Sequence, residues 1–200
     1  MSLRAILAFF SVINAFRNFM ELAQLNQWQQ LAFCAALCER SFPNYELFCE
    51  IEEIDSKPAR KILNKVWEYL RGQLKSLKNM EKQMEHLTDL VPDPDNFEQY
   101  GVYPAMDTLL ALQSCVQAIL DSSIEDAESI QSLMQERLSE VLEIQETNKA
   151  ESELWLRQLD FETSVYALIT TQTSHADMVK TLIPLSQDKG VSLLGICLDD

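Results

Sequence analysis

Two short stretches hold the residues whose types and spacing point to chemistry. "CERSFPNY" (38–45) sets Glu39 beside Arg40 and follows them with Tyr45. "NFEQYGVYPAMD" (96–107) places Tyr100 and Tyr103 on either side of Gly101, then Pro104 and Asp107. If the 39–45 and 97–107 segments share a pocket, Arg40 would hold an anion and Tyr100 or Tyr103 would donate a hydrogen bond. Asp107 or Glu39 would then act as a base, in a small-molecule binder or an enzyme. The same residues also make sense as a corner. Gly101 would supply a positive φ, and Pro104 suits the first turn of a helix. Asp107 would sit near a helix N-terminus, where the dipole and free N–H groups favour a carboxylate. Buried tyrosines need hydrogen-bond partners, and Glu39, Arg40 or Asp107 would serve. In that reading Glu39 and Arg40 cap their helix or fasten Tyr45.

Other chemistries find little support. Cys34 and Cys38 face the same way on a helix, but a zinc site would also need Cys49 and a fourth ligand, and structural sites use tighter loop spacings. These thiols read as small apolar core residues. Catalytic thiol chemistry needs a nearby base, and the two histidines are distant in sequence. Glu50, Glu52, Glu53 and Asp55 are oxygen donors of the kind that hold Mg²⁺ or Ca²⁺, yet they read as a solvated helix end. Gln83 and Gln172 stand three residues before His86 and His175, where a helical di-iron site needs Glu. Phosphate-binding, nucleophile-elbow and HExxH motifs are absent from the sequence. No catalytic residue, metal or cofactor is therefore assigned, and an interaction protein is favoured over an enzyme.

Charge narrows the partners. The net charge is −15, which argues against nucleic acid. Residues 57–82 carry eight basic and two acidic residues, a local net of +6. Residues 121–162 carry twelve acidic residues against Arg137, Lys149 and Arg157, a local net of −9. The two segments are either complementary helix faces within one molecule or a surface for another. Glu136, Glu140 and Glu143 mark the acidic face on which a basic protein partner would dock. An inhibitor of a basic effector is one concrete form. The five cysteines are odd in number and fit reduced thiols in a cytoplasmic protein.

The elements that must position these residues are helices. Only 4 glycines and 6 prolines punctuate 200 residues, so connections are few and elements long. Asn26 with Gln29 has capping-box spacing. Trp28, Leu31, Ala32, Ala35 and Cys38 form a stripe that Pro43 would interrupt, opening a new helix at "NYELFCEIEEI". Ser56 and Pro58 mark another start, with Gly72 near its end. A helix over about 76–90 stops before Pro92, and a strongly apolar one follows Pro104. Ser122 and Glu125 form a second capping box, ahead of a helix lined by Ala127, Ile130, Met134 and Leu138. Helices around Trp155 and from about His175 follow, the last ended by Gly190. Trp28, Trp67 and Trp155 read as core anchors. "VSLLGICL" is β-prone, but as a lone short strand it reads as an extended tail. The expected architecture is all-α: a single compact bundle of seven to nine helices with a short extended C-terminal tail, over 20–200, preceded by an apolar helix over 1–19.

Two runs, "CAALCERSFPNYELF" (34–48) and "NFEQYGVYPAMDTLLAL" (96–112), resemble the YjaG-like family of bacterial proteins, which carry a domain of unknown function. The likeness runs from roughly Leu22 to the C-terminus. It implies a cytoplasmic helical protein and no particular activity. Residues 1–19 lie outside it, so Met20 is a candidate natural start.

The first segment imitates an export signal, but Ile13 occupies a place where cleavage wants a small residue. At about 1.5 Å per residue, its apolar run between Arg4 and Arg17 spans roughly 18 Å, too short to cross a bilayer. Its polar stripe lacks the Lys/Arg cluster of a membrane anchor. Nine large apolar side chains from Leu3 to Phe19 would form a patch that soluble monomers rarely expose. A helix apolar around most of its girth demands burial on several sides, which a homodimer provides. Sedimentation of the full chain is expected to give a dimer, and of a chain beginning at Met20 a monomer. Two monomers would refute the dimer.

Overall fold

A computed structural model describes residues 21–74, 76–171 and 174–198. These residues form seven α-helices and no strand: α1 (Gln27–Ile51), α2 (Lys57–Leu70), α3 (Lys78–Leu90), α4 (Val102–Leu120), α5 (Ala127–Ile144), α6 (Glu153–Thr171) and α7 (His175–Gln187). Short 3₁₀ turns lie at Leu22–Gln24, Pro94–Asn96, Lys149–Glu151 and Asp188–Gly190. The fold is all-α, as the scarcity of glycine and proline predicts. The apolar N-terminal helix, and the dimer built on it, lie outside the described residues.

The bundle is organised around α1. Every residue from Gln30 to Phe42 is buried. A helix that is apolar or small around its whole girth must be wrapped on all sides, and Ala32, Cys34, Ala35, Ala36 and Cys38 leave room for neighbours to come close. α4 lies along α1; α2, α5, α6 and α7 close its remaining sides, and α3 packs outside on α4 and α2. Trp28, half-buried, donates Nε1–H to the Leu70 carbonyl at 3.2 Å and stacks on His175 at 3.9 Å.

Several local signals hold. Asn26 and Gln29 form the reciprocal capping box that opens α1. Gly72 (φ 72) ends α2 in a Schellman turn, with Gln73 N–H bonded to Glu68 O and Gly72 N–H to Tyr69 O, both at 2.8 Å. Glu53 and Glu146 take the same left-handed place after α1 and α5 without the help of glycine.

Others are overridden. Pro43 does not break the chain into two helices: α1 runs through it for 25 residues. Its missing N–H and its ring cost about 3 kcal/mol, but the surrounding burial keeps the helix continuous through it. Ser122 and Glu125 do not cap α5. Asp121 captures the turn first, accepting Ser123 N–H at 2.9 Å and its hydroxyl at 2.7 Å, so α5 begins at Ala127, after Asp126. Gly101 has φ −55, in the right-handed region, where any residue fits. The C-terminal tail, by contrast, forms no strand, as expected, and turns on Ser192, whose Oγ accepts N–H groups from Leu194 and Ile196 at 3.1 Å.

These backbone states separate two glycines by experiment. Gly72→Ala is expected to cost about 1 kcal/mol, because its φ resists a Cβ. Gly101→Ala is expected to be neutral or to stabilise by a few tenths, since its Cβ would meet only Gln99 Oε1 at 3.7 Å. Denaturant titration of both variants measures the difference.

Candidate functional site

The six candidate residues are distributed over separate clusters. The first lies where α4 meets α5. Asp107 is the sixth residue of α4, beyond the free N–H groups of the first turn, and is buried. Its carboxylate accepts Arg137 Nε at 2.5 Å and Nη2 at 3.4 Å. The same guanidinium donates to Tyr100 Oη at 3.2 Å and to Glu140, and Tyr100 O–H donates to Glu140 at 3.2 Å. Its carbon lies 5.7 Å from the Tyr100 ring centre and 5.3 Å from that of Tyr103. Burial opposes the charge on Arg137, but its bonds to Asp107 and Tyr100 outweigh that and hold its pKa above the usual value. The tyrosines thus find their partner in α5, and both stay more than a third exposed.

The second and third clusters start from neighbouring residues of α1. Glu39 is buried and accepts three hydrogen bonds: Arg60 Nη1 and Trp67 Nε1 at 2.8 Å, and Gln187 Nε2 at 3.1 Å. The Arg60 guanidinium lies 3.6 Å over the Phe42 ring. Glu39, Pro43, Arg60, Pro184 and Gln187 are among the residues lining an open cleft of ≈ 580 Å³. Arg40 points elsewhere. It donates to Gln158 Oε1 at 3.1 Å and to Asp188 at 3.2 Å, and covers Phe161 at 4.3 Å. Burial and the neighbouring Arg157 lower it to about 10, so it remains a cation at neutral pH. Arg157 reaches the same Asp188 oxygen at 2.6 Å. Asp188 and Lys189 are both left-handed, with φ 41 and 57, and the two arginines hold that turn in place. Tyr45 is buried edge-on to Phe42 at 5.7 Å, fastened by neither Glu39 nor Arg40.

Behind Arg40 stands a carboxylate that the sequence reading missed. Glu162 of α6 is fully buried. It accepts Gln131 and Gln135 of α5 on one oxygen, both at 2.7 Å, and Gln158 on the other at 2.9 Å. Burial raises its pKa to about 7 despite these donors. A polar chain therefore runs from α5 through Glu162, Gln158 and Arg40 to Asp188, at the end of α7. Also missed were Arg60, Arg137 and Arg157. A signal for the last two was present: they are two of only three cations in the acidic run 121–162.

Chemically, these clusters are clamps. The bases expected at Asp107 and Glu39 are already bound by arginine. Glu39 and Arg40 turn to α2, α6 and the end of α7, whereas Tyr100, Tyr103 and Asp107 turn to Arg137 of α5, so these side chains do not converge on one point. Burial pushes the Cys34 thiol up to about 12 and Cys38 higher still, which keeps both neutral. Glu50, Glu53 and Asp55 are exposed, and Glu52 takes a bond from Gln99.

The fold and these clusters define an all-α protein built around one buried, charge-bearing helix. The chain belongs to the DUF416 family, a protein family of unknown function, whose model matches residues 17–197. It is similar to an uncharacterised protein of Haemophilus influenzae, 34% identical over 186 residues, covering 88% of this chain and 94% of that protein. It is also similar to the uncharacterised protein YjaG of Escherichia coli, 40% identical over 103 residues, about half of each chain. The crystal structure of a DUF416 family protein from Shewanella baltica superposes with a TM-score of 0.79 at 30% identity, covering 88% of this chain and 96% of the other.

The buried carboxylate makes stability depend on pH. Its folded pKa, about 7, lies above the ordinary 4.5. Its contribution is therefore complete below about pH 4.5 and lost as pH rises through 7. Relative to Glu162→Gln, the native chain should lose on the order of 3 kcal/mol across that window. Urea titrations of both proteins at several pH values measure it, and parallel curves would refute it.

Proposed function

We propose that this protein is a macromolecular interaction protein whose α5 face takes a basic protein partner. One observation carries the reading: the basic 57–82 segment does not neutralise the acidic face, on which only Glu140 is paired, with Arg137 of its own helix. Among the described residues, the ion pairs of the basic 57–82 segment run from Arg60 to Glu39 and Glu46 on α1, and none reaches 121–162. Glu136, Glu140 and Glu143 are exposed along one stripe of α5. Beside them lie Tyr100, Tyr103 and Arg137, residue types that carry binding energy at interfaces. Ile144, 67% exposed, extends the same face with apolar surface. Surrounding acid would speed the approach of a cationic partner and favour it over others.

We assign the protein to the cytoplasm on its five unpaired thiols, four of them buried, and a homodimer to residues 3–19. No helix among the described residues is long and apolar enough to cross a membrane.

Affinity capture at low and moderate salt is expected to enrich basic proteins, more weakly at higher salt. For a captured partner, Glu136→Lys with Glu143→Lys should weaken binding at least about tenfold, and Tyr103→Ala should also weaken it. Glu50→Lys, on the exposed end of α1, should change little. Binding that is indifferent to both α5 reversals would sink the proposal.

A further inference from the structure

A second surface carries the opposite charge. Pro58, Lys61, Asn64 and Lys65 of α2 face Gln83 and His86 of α3 across an open groove of ≈ 530 Å³, with Glu68 at one end. Lys57, Lys61 and Lys65 recur every four residues, as do Lys78, Lys82 and His86, so each set forms a ladder along one helix face.

These lysines differ from the four clamping arginines, although Arg71, Lys149 and Lys189 also enter no ion pair among the described residues. Acidic residues number 31 against 16 basic ones, so a cation has many possible partners. Arg40, Arg60, Arg137 and Arg157 are each held by carboxylates. Among the described residues, Lys57, Lys61, Lys65, Lys78 and Lys82 enter no ion pair. Two of these unpaired cations, Lys61 and Lys65, line the groove of an otherwise strongly anionic molecule, and the others stand on the same two helices.

We infer that the α2–α3 groove docks an acidic peptide segment of a partner protein. Charge complementarity selects an anion, and the lining selects its class. Base stacking needs a run of aromatic platforms, and no Phe, Tyr or Trp lines the groove, whose one ring is the His86 imidazole. A long polyanion would also meet the repulsion of a molecule whose net charge is −15. Lysines act as mobile point charges, unlike the rigid fork of arginine that matches one phosphate. They suit several carboxylates spread along a flexible chain. The amides of Asn64 and Gln83 donate and accept, as a peptide backbone requires. From Pro58 to Glu68 the groove is about 15 Å long at 1.5 Å per residue, room for about five residues of extended peptide. Glu68 would repel a carboxylate there, which limits and orients the segment. The groove belongs to a different hairpin from the α5 face, so this inference stands or falls separately from the proposed function.

The test uses the full chain and a fluorescently labelled short peptide alternating Glu and Ala, followed by anisotropy. The peptide is expected to bind at low ionic strength and to weaken toward about 0.15 M salt. Lys61→Glu with Lys65→Glu should weaken binding about tenfold, two ion pairs being replaced by repulsions. Lys149→Glu, outside the groove, should leave it unchanged. Circular dichroism checks that the variants fold, and Lys61→Gln with Lys65→Gln replaces the reversal if it does not. Unlabelled peptide should displace the probe more effectively than inorganic triphosphate or single-stranded DNA of matched charge. The proposal is overturned by no binding at low salt, by equal loss in the Lys149 variant, or by displacement as effective with triphosphate or DNA. It is also overturned if the wild type forms oligomers that the Lys61/Lys65 reversal disperses, since the occupant would then be a second copy.

Discussion

The structure depends on an adjacent pair of opposite charges buried in the middle of a helix wrapped on every side. Glu39 and Arg40 cannot reach water from α1, and an uncompensated buried charge is costly, about 3–5 kcal/mol when one partner of a pair is removed. Their side chains diverge, so they cannot satisfy each other, and the neighbouring elements supply the partners. α2 brings Arg60 and Trp67 to Glu39; α6 brings Gln158 to Arg40; the end of α7 brings Gln187 to one and Asp188 to the other. Three elements are thereby set in register against the central helix by polar contacts that tolerate little slippage. The left-handed turn at Asp188 and Lys189 is part of this arrangement. A non-glycine residue there costs roughly 1–2 kcal/mol, and the convergence of Arg40 and Arg157 on Asp188 offsets it.

The same logic explains how charge is distributed. In a chain so rich in acid, Arg60 and Arg137 compensate the buried carboxylates of Glu39 and Asp107, and the buried Arg40 is compensated in turn by the partly exposed Asp188, which Arg157 shares. Glu162 receives three amides in place of a direct ion pair, and its burial leaves its charge only partly compensated near neutral pH. The outer face of α5 keeps its glutamates, and the lysines of α2 and α3 remain outside. Two surfaces of opposite sign therefore coexist.

Much of this was legible in the sequence. The all-α class follows from scarce glycine and proline, and the apolar stripes of α2, α4 and α5 from residue spacing. The opening of α1 at Asn26 and the end of α2 at Gly72 follow from local hydrogen-bond chemistry that needs no distant partner. The separation of a basic and an acidic segment was equally plain, because charge is a property of composition.

Tertiary structure decided the rest. Pro43 carries a local signal to start a helix, and only the burial surrounding α1 overrides it. Gly101 allows a positive φ, but its neighbours do not require one. "CERSFPNY" and "QYGVYPAMD" both contain charge and tyrosine, so they suggested one pocket. Their partners, Arg60, Arg137, Gln158 and Asp188, lie between 21 and 148 residues away from the side chains they bind. Spacing along a chain reports which face of a helix a residue occupies; it does not report which helix lies opposite. That choice is made by packing the whole set at once, and it set the candidate pocket residues of the two stretches in separate polar clusters.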